Sequence, residues 1–208
     1  MRISVNHEKY WKERKIDWTK AYFSTWNHPH RQMIMNFLRK FQWFSLFEIG
    51  CGAGENAARI LTEFKGVSLG GCDINAEAIE TAQKHIVGGH FKVSDIDDIL
   101  MSDNSSDVVL SDMCLIYINP RKMGKVLAEV KRISRKRIIF CEFHSDSFWA
   151  RLKLRMTSGY YAYDYRKLLE RYGFYDIVIE KIPEELWPGG NPQKTFGYII
   201  TAKVTKRK

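Results

Sequence analysis

Residues 46–56 read Leu46-Phe47-Glu48-Ile49-Gly50-Cys51-Gly52-Ala53-Gly54-Glu55-Asn56. The stretch joins a buried strand, a glycine turn and a helix start, with an acid two places before the first glycine. Three glycines at alternate positions permit a tight turn and a close backbone approach to a ligand, because none carries a Cβ. The helix that follows aims free N–H groups and its positive dipole end at an anionic group, such as a carboxylate. Taken alone, the turn is a weak nucleotide-site signal. Its surroundings strengthen it.

Two periodicities alternate downstream. A helix is predicted over Glu55–Phe64, a strand over Val67–Asp73, a helix over Ala76–Ile86 and a short strand over His90–Ser94. The apolar strand Asp107–Asp112 follows a turn-rich stretch. Pro120 then opens a helix with Met123, Val126, Leu127, Val130 and Ile133 on one stripe. The strand Arg137–Phe143 completes the run. Such alternation predicts a parallel α/β sheet covered by helices on both faces. Continuous apolar runs such as Val108-Val109-Leu110 suit strands buried on both sides. Near the C-terminus, a helix at Asp164–Tyr172 precedes the strands Phe174–Ile182 and Thr195–Val204. Only the loop Pro183–Gln193 joins these strands, which predicts an antiparallel pair at the sheet edge.

The first forty residues stand outside this alternation. His7–Lys15 and Pro29–Phe41 read as helices, with an aromatic-rich stretch between them that includes Trp18, Tyr22 and Trp26. Residues 1–43 are therefore expected to pack as a helical segment on a single domain, 44–208. Two roles fit the segment: a helix pair covering the sheet, or a lid over a ligand pocket with Trp and Tyr supplying apolar bodies with polar tips.

Composition narrows the classes. A chain of 208 residues, 45% hydrophobic and 27% charged, suits one globular domain. No window approaches the roughly 18 consecutive apolar residues of a membrane span. The N-terminus lacks the apolar core of a secretory signal. Cys51, Cys72, Cys114 and Cys141 are too dispersed for a zinc knuckle or a disulfide scaffold. No metal site, no membrane insertion and a cytoplasmic setting are expected. The net charge of +9 is uneven, with basic residues crowded between Arg121 and Arg137 and in the tail from Lys203 to Lys208. These clusters fit either a phosphate-binding surface or a solvated helix face and a soluble tail. Lys131–Arg137 precedes a strand, so it falls at the amino end of the sheet, away from the ligand side.

Acids identify the ligand class. Asp73 ends the second strand, where a carboxylate accepts bonds from both hydroxyls of a ribose. Asp95 follows the third strand, within reach of an adenine amino group. In open α/β sheets, ligands bind beyond the carboxyl ends of the strands. A glycine turn and two acids at three successive strand ends describe an adenosine site. A nicotinamide dinucleotide would want a glycine where Glu55 stands, and that carboxylate would repel a pyrophosphate.

At these residues the chain resembles the class I S-adenosylmethionine-dependent methyltransferases. EIGCGAGEN is similar to the family's (E/D)xGxGxG motif, CDIN to its second-strand motif and VSDID to its third. The likeness spans Leu46–His144. It implies a Rossmann-like, doubly wound, mostly parallel seven-stranded sheet, and S-adenosylmethionine as the methyl donor, leaving S-adenosylhomocysteine. Carried over by position, Glu48, Gly50, Cys51, Gly52 and Gly54 would surround the methionine portion. Asp73 and Ile74 would hold the ribose, Asp95 and Ile96 the adenine. Ser111, Asp112 and Met113 would lie beside the sulfonium, with Trp11 and Arg14 as N-terminal candidates against the donor.

The activated methyl leaves the protein mainly the task of orienting an acceptor, and proximity alone recovers on the order of 7–11 kcal/mol of barrier. An acceptor hydroxyl also needs a base. His144 is the first candidate, Asp112 the second and Glu142 the third; the alternative for His144 is a structural hydrogen bond. Cys114, Tyr117, His144, Tyr160, Tyr161, Tyr163 and Trp187 are expected to wall the acceptor pocket. Ser111-Asp112-Met113-Cys114 replaces the (N/D)PP(Y/F/W) motif of enzymes that methylate base amines or glutamine amides. The expected function is methyl transfer to an O, N or S atom of a small molecule. The alternatives are an RNA methyltransferase that uses the basic surface and a non-catalytic donor-binding partner subunit.

Overall fold

The computed structural model describes residues 6–187 and 190–204. The N-terminal residues 1–5, Pro188-Gly189 of the C-terminal loop and residues 205–208 of the basic tail lie outside the described residues. One seven-stranded sheet carries the fold, in the order β3-β2-β1-β4-β5-β7-β6. The strands are β1 Ser45–Ile49, β2 Ser68–Asp73, β3 His90–Val93, β4 Ser106–Asp112, β5 Ser134–Phe143, β6 Phe174–Lys181 and β7 Gly197–Val204. The helices are α1 His7–Glu13, α2 Trp18–Ala21, α3 Arg31–Leu38, α4 Glu55–Glu63, α5 Ala76–His85, α6 Pro120–Ile133, α7 Phe148–Ser158, α8 Tyr165–Arg171 and α9 Gln193–Phe196.

Strand alternation builds two cores from one sheet. Leu46, Val108, Leu110 and Ile139 face one side, where they meet α3, α4 and α5. Their neighbours Phe47, Ile49, Val109, Ile138 and Phe140 face the other side, against α6 and α8. Period-two geometry requires this division. Burial on both faces explains why these strands are apolar throughout. The stripe of Met123, Val126, Leu127, Val130 and Ile133 on α6 is fully buried, stabilising by about 1.5–3 kcal/mol for each larger side chain. Asn119 caps this helix, accepting from the Arg121 and Lys122 amides, and Pro120 stands at its first turn.

The central strands run parallel: β1 pairs with β2 and with β4, β2 with β3, and β4 with β5. β7 enters antiparallel between β5 and β6, as predicted, although the connection carries the one-turn helix α9 where the sequence reads as loop and strand start. The predicted elements before α7 fall within a few residues of the observed ones, apart from β5. That strand starts at Ser134, and its pairing with β4 shifts register between Ser106 and Val108. Its first turn of basic residues looked like helix tail in the sequence.

In the N-terminal segment, α3 buries Ile34, Met35, Phe37 and Leu38, whereas α1 buries nothing. The buried Asn75 side chain ties the segment down by donating to the carbonyls of Trp11 and Arg14, at 2.8 Å each. Asn75 also caps α5, accepting from the Ala78 amide.

A glycine within β2, Gly71, admits the turn that follows β1. A Cβ on Gly71 would lie 2.7 Å from Cys51 Cβ and 2.9 Å from the Glu48 carbonyl oxygen. Neither neighbour has room to give. Gly71→Ala should therefore cost about 1–3 kcal/mol of stability, read as a lower urea midpoint. An unchanged midpoint would mean that Cys51 does not pack there.

Candidate functional site

A cavity of about 880 Å³ opens at the carboxyl edge of the central strands. The glycine turn forms its floor. Gly50, Gly52 and Gly54 all have positive φ (65°, 51° and 86°), a backbone region that penalises side chains. A Cβ on Gly50 would also collide with Cys114 Sγ at 2.3 Å.

Asp73 stands beside the turn. Its Oδ2 accepts from the Gly52 amide at 3.0 Å and its Oδ1 from the Asn75 amide at 2.9 Å. A carboxylate oxygen offers two lone pairs, so the group keeps acceptor capacity beyond these two bonds, although the Ile74 amide also draws on it. Burial raises the Asp73 pKa, while these backbone donors pull it down. Ile74, Asp95 and Ile96 continue the wall. Lys122, from the first turn of α6, bonds Asp95 Oδ2 at 2.6 Å and lies 3.4 Å from Asp97 and 3.2 Å from Glu8. Despite its own burial, Asp95 is held below its ordinary pKa by this ammonium.

The opposite wall is a buried polar network. Asp112, at the end of β4, accepts from His30 Nε2 at 2.9 Å and from Asn56 Nδ2 at 3.0 Å, with Arg31 Nε 3.7 Å away. Asn56 also donates to Glu48 Oε1 at 2.6 Å, and its own oxygen accepts from Arg31 Nε at 2.9 Å. Burial opposes charge on Asp112, yet His30 and Arg31 hold its carboxyl well below the usual carboxylate range. Glu48 lacks such a cation at close range, and burial raises its pKa strongly. His30 Nδ1 lies 2.5 Å from His28 Nδ1, so one of them carries the shared proton. Trp187 stacks on His30 with centroids 4.4 Å apart and rings 12° from parallel. Burial, together with His30 and Arg31, lowers His28 to about 4 and keeps it neutral at neutral pH.

Met113, directly after Asp112, has a φ of 55°, a conformation costing about 1–3 kcal/mol in a side-chain-bearing residue. Glu142 fixes the segment that follows. It accepts from Ser111 Oγ at 2.6 Å and from the amides of Cys114, Leu115 and Ile116 at 2.9–3.2 Å. Its burial nevertheless raises the carboxyl to about 7.

The cavity lining brings together Trp11, Glu48, Gly50, Cys51, Gly52, Asp73, Ile74, Asp95, Ile96, Asp112 and Met113, with Cys114, Tyr117, Tyr161 and Trp187 on the outer side. Other expected residues sit elsewhere. Gly54 begins α4 beneath the turn, and Ser111 is bonded to Glu142. Arg14 packs over the rings of Tyr10 and Trp11. His144 does not reach the cavity: its Nδ1 accepts from the Tyr165 amide at 3.2 Å, and its ring meets Tyr198 edge-on. Here the structural hydrogen bond accounts for the residue. Tyr163 spends its hydroxyl on the Ile118 carbonyl, and Tyr160 packs against Phe143 and Tyr117.

Sequence reasoning missed His28, His30, Arg31 and Asn56. The dense cluster His28-Pro29-His30-Arg31 at the head of α3, and an amide two residues past the glycine turn, were the available signals. Three cavity-lining tryptophans, Trp11, Trp18 and Trp187, have a buried indole N–H with no acceptor among the described residues. His30, Asp112 and Cys141 also lie close enough together to face one ion. The Asp112 charge is already met by His30 and Arg31, so the donor set does not call for a metal.

Residues 46–137 match the protein family described as Methyltransferase domain. No curated protein sequence matches the chain significantly. Among solved structures, the PH0226 protein from Pyrococcus horikoshii has a TM-score of 0.68 at 16% identity, covering 95% of this chain and 99% of that one. The methyltransferase in complex with the Haloferax volcanii Trm112 methyltransferase activator gives 0.67 at 18% identity, covering 96% and 97%. Geranyl diphosphate C-methyltransferase from Streptomyces coelicolor, in complex with geranyl diphosphate and S-adenosylhomocysteine, gives 0.65 at 13% identity, covering 84% and 79%. At such identities the likeness is one of fold.

The Asp112 cluster predicts a pH-dependent stability. A carboxyl held low in the native state stabilises fully above its unfolded pKa, near 4, and loses that contribution as pH falls towards its native value. Asp112→Asn should therefore cost about 3–5 kcal/mol at pH 7. The gap from wild type in urea melts should narrow below pH 4. Equal stability at pH 7 would contradict the ion-pair assignment.

Proposed function

We propose that this chain is a class I S-adenosylmethionine-dependent methyltransferase, a reading supported by its match to a methyltransferase domain over residues 46–137 and by its fold, and that it methylates a small-molecule acceptor held in the cavity. One observation carries the donor reading. Asp73, with acceptor capacity beyond its backbone bonds, adjoins a turn whose glycines expose bare backbone. Ile74 and Ile96 supply apolar surface for the nucleoside beside it. Buried indole N–H groups of Trp11 and Trp18 await an acceptor from a ligand. The residues fit the donor, which when bound supplies an activated methyl on a cationic sulfur.

The chain's own groups then position and deprotonate. Asp112, Glu48 and Glu55 put carboxyl groups on the cavity wall near the turn, suited to an ammonium and a sulfonium. Acceptor orientation falls to Tyr117, Tyr161 and Trp187. The His28–His30 pair takes the place as base that sequence reasoning gave to His144. His28 borders the cavity but, lowered to about 4, holds a proton only weakly, so a proton taken there passes to His30, beside the Asp112 carboxylate.

Three features support a small acceptor over RNA. The cavity has the size of a small-molecule site. The N-terminal segment covers it as a lid, with Trp11, Trp18 and His28 on its inner surface. Much of the basic cluster near β5 is engaged within the protein: Arg132 pairs with Glu129 and Asp103, and Arg135 and Lys136 pair with Asp107. Two fold neighbours are described in complex with small molecules: geranyl diphosphate in one, and phosphomonomethylethanolamine in the Haemonchus contortus phosphoethanolamine N-methyltransferase 2.

Calorimetry with S-adenosylhomocysteine tests the reading. Asp73→Ala removes two charge-assisted bonds and should weaken affinity at least tenfold. Wild-type affinity in the variant, or no binding to the wild type, would overturn it.

A further inference from the structure

Helix α7 wears its apolar side outward. Trp149 is 75% exposed, Met156 72%, Phe148 60% and Leu152 38%, whereas the one buried residue is Leu154. At about 100° per residue, these four side chains fall within an arc of about 100° opposite Leu154. An exposed arc of this kind belongs to an interaction surface rather than to a core.

The polar residues say what covers it. Arg151 and Lys153 border the arc on either side, Arg155 adds a third cation, and no Asp or Glu occurs within Phe148–Ser158. The nearest acid in the chain, Asp146, precedes the helix. Lys153 is exposed. Arg151 and Arg155 are steadied by the carbonyls of Ser145 and Gly159, which fixes their positions without neutralising them. A second copy of the chain would bring the same cations against each other, because a two-fold contact pairs a patch with itself. Aromatic and aliphatic side chains flanked by long cationic ones instead match an anionic lipid interface: the rings enter the headgroup boundary and the cations meet phosphate.

We propose that α7 docks this protein on the surface of an anionic phospholipid bilayer. The helix lies flat on the interface and does not cross it; among the described residues, no helix is long and apolar enough to span a membrane. Arg155, in the last turn, also lines the cavity together with Tyr161, whose ring it covers at 4.2 Å. Docking therefore places the outer end of the cavity beside the lipid surface. The inference concerns binding alone and stands whether or not the methyl-transfer reading holds.

Flotation of the full chain with vesicles is the test. Binding is expected to vesicles of phosphatidylglycerol and phosphatidylcholine, with at least tenfold weaker partition to pure phosphatidylcholine and a marked loss as salt rises. The double substitution Trp149→Ser with Met156→Ser alters only exposed side chains. It should keep the wild-type melting temperature and lose at least tenfold in vesicle partition. Absence of wild-type flotation at low salt would overturn the proposal. So would full binding by the variant, which would assign the effect to the other basic clusters. A dimer in light scattering that the same variant abolishes would instead assign the face to a second copy.

Discussion

The parallel register of β1 between β2 and β4 is the constraint on which the rest depends. Glu48 sits level with Gly71 on one side and Leu110 on the other. The three strands therefore end together, and Gly50, Asp73 and Asp112 arrive at one rim. A slip of one residue would turn every side chain to the opposite face, exchanging the two cores. The absence of a side chain at Gly71 lets the turn fold back over β2, and the Cys51 amide locks it by donating to the Cys72 carbonyl at 3.0 Å.

The polar network above that rim is built against the grain of stability. Glu48, Glu55, Asp112 and Arg31 are all buried, and hydrophobic residues of similar volume would commonly be as stable or more so. Their cost is offset by satisfaction: Asn56 serves Glu48, Asp112 and Arg31 at once. His30 and Arg31 meet the charge of Asp112, and burial raises the Glu48 and Glu55 carboxyls, so the wall holds its carboxyl groups without a large excess of negative charge. The left-handed Met113 beside it is a local strain of the kind that accompanies function.

Local periodicity made the sheet and its flanking helices legible. The central strands β1, β4 and β5 had to be apolar on both faces, and α3, α4, α5 and α6 carried a stripe. The glycine turn with Asp73 and Asp95 was legible because backbone geometry and strand ends dictate those residue types. The His28–His30 pair was not, since it reaches Asp112 across 82 residues of sequence, and no local pattern encodes that meeting. His144 misled for the same reason. A histidine after β5 looks poised at the rim, but only the tertiary contact with the Tyr165 amide shows its ring committed elsewhere. α7 carries Phe148, Trp149, Leu152 and Met156 at helical spacing, but that spacing does not say that this apolar side faces solvent.

The central claim is that the glycine turn and Asp73 seat the adenosyl portion of a methyl donor at this rim. A crystal structure of the chain with S-adenosylhomocysteine tests it most directly. The account predicts both ribose hydroxyls within hydrogen-bond distance of Asp73, the adenine against Ile96 and the sulfur facing Asp112. A nucleoside bound elsewhere, or one whose ribose does not touch Asp73, would contradict it.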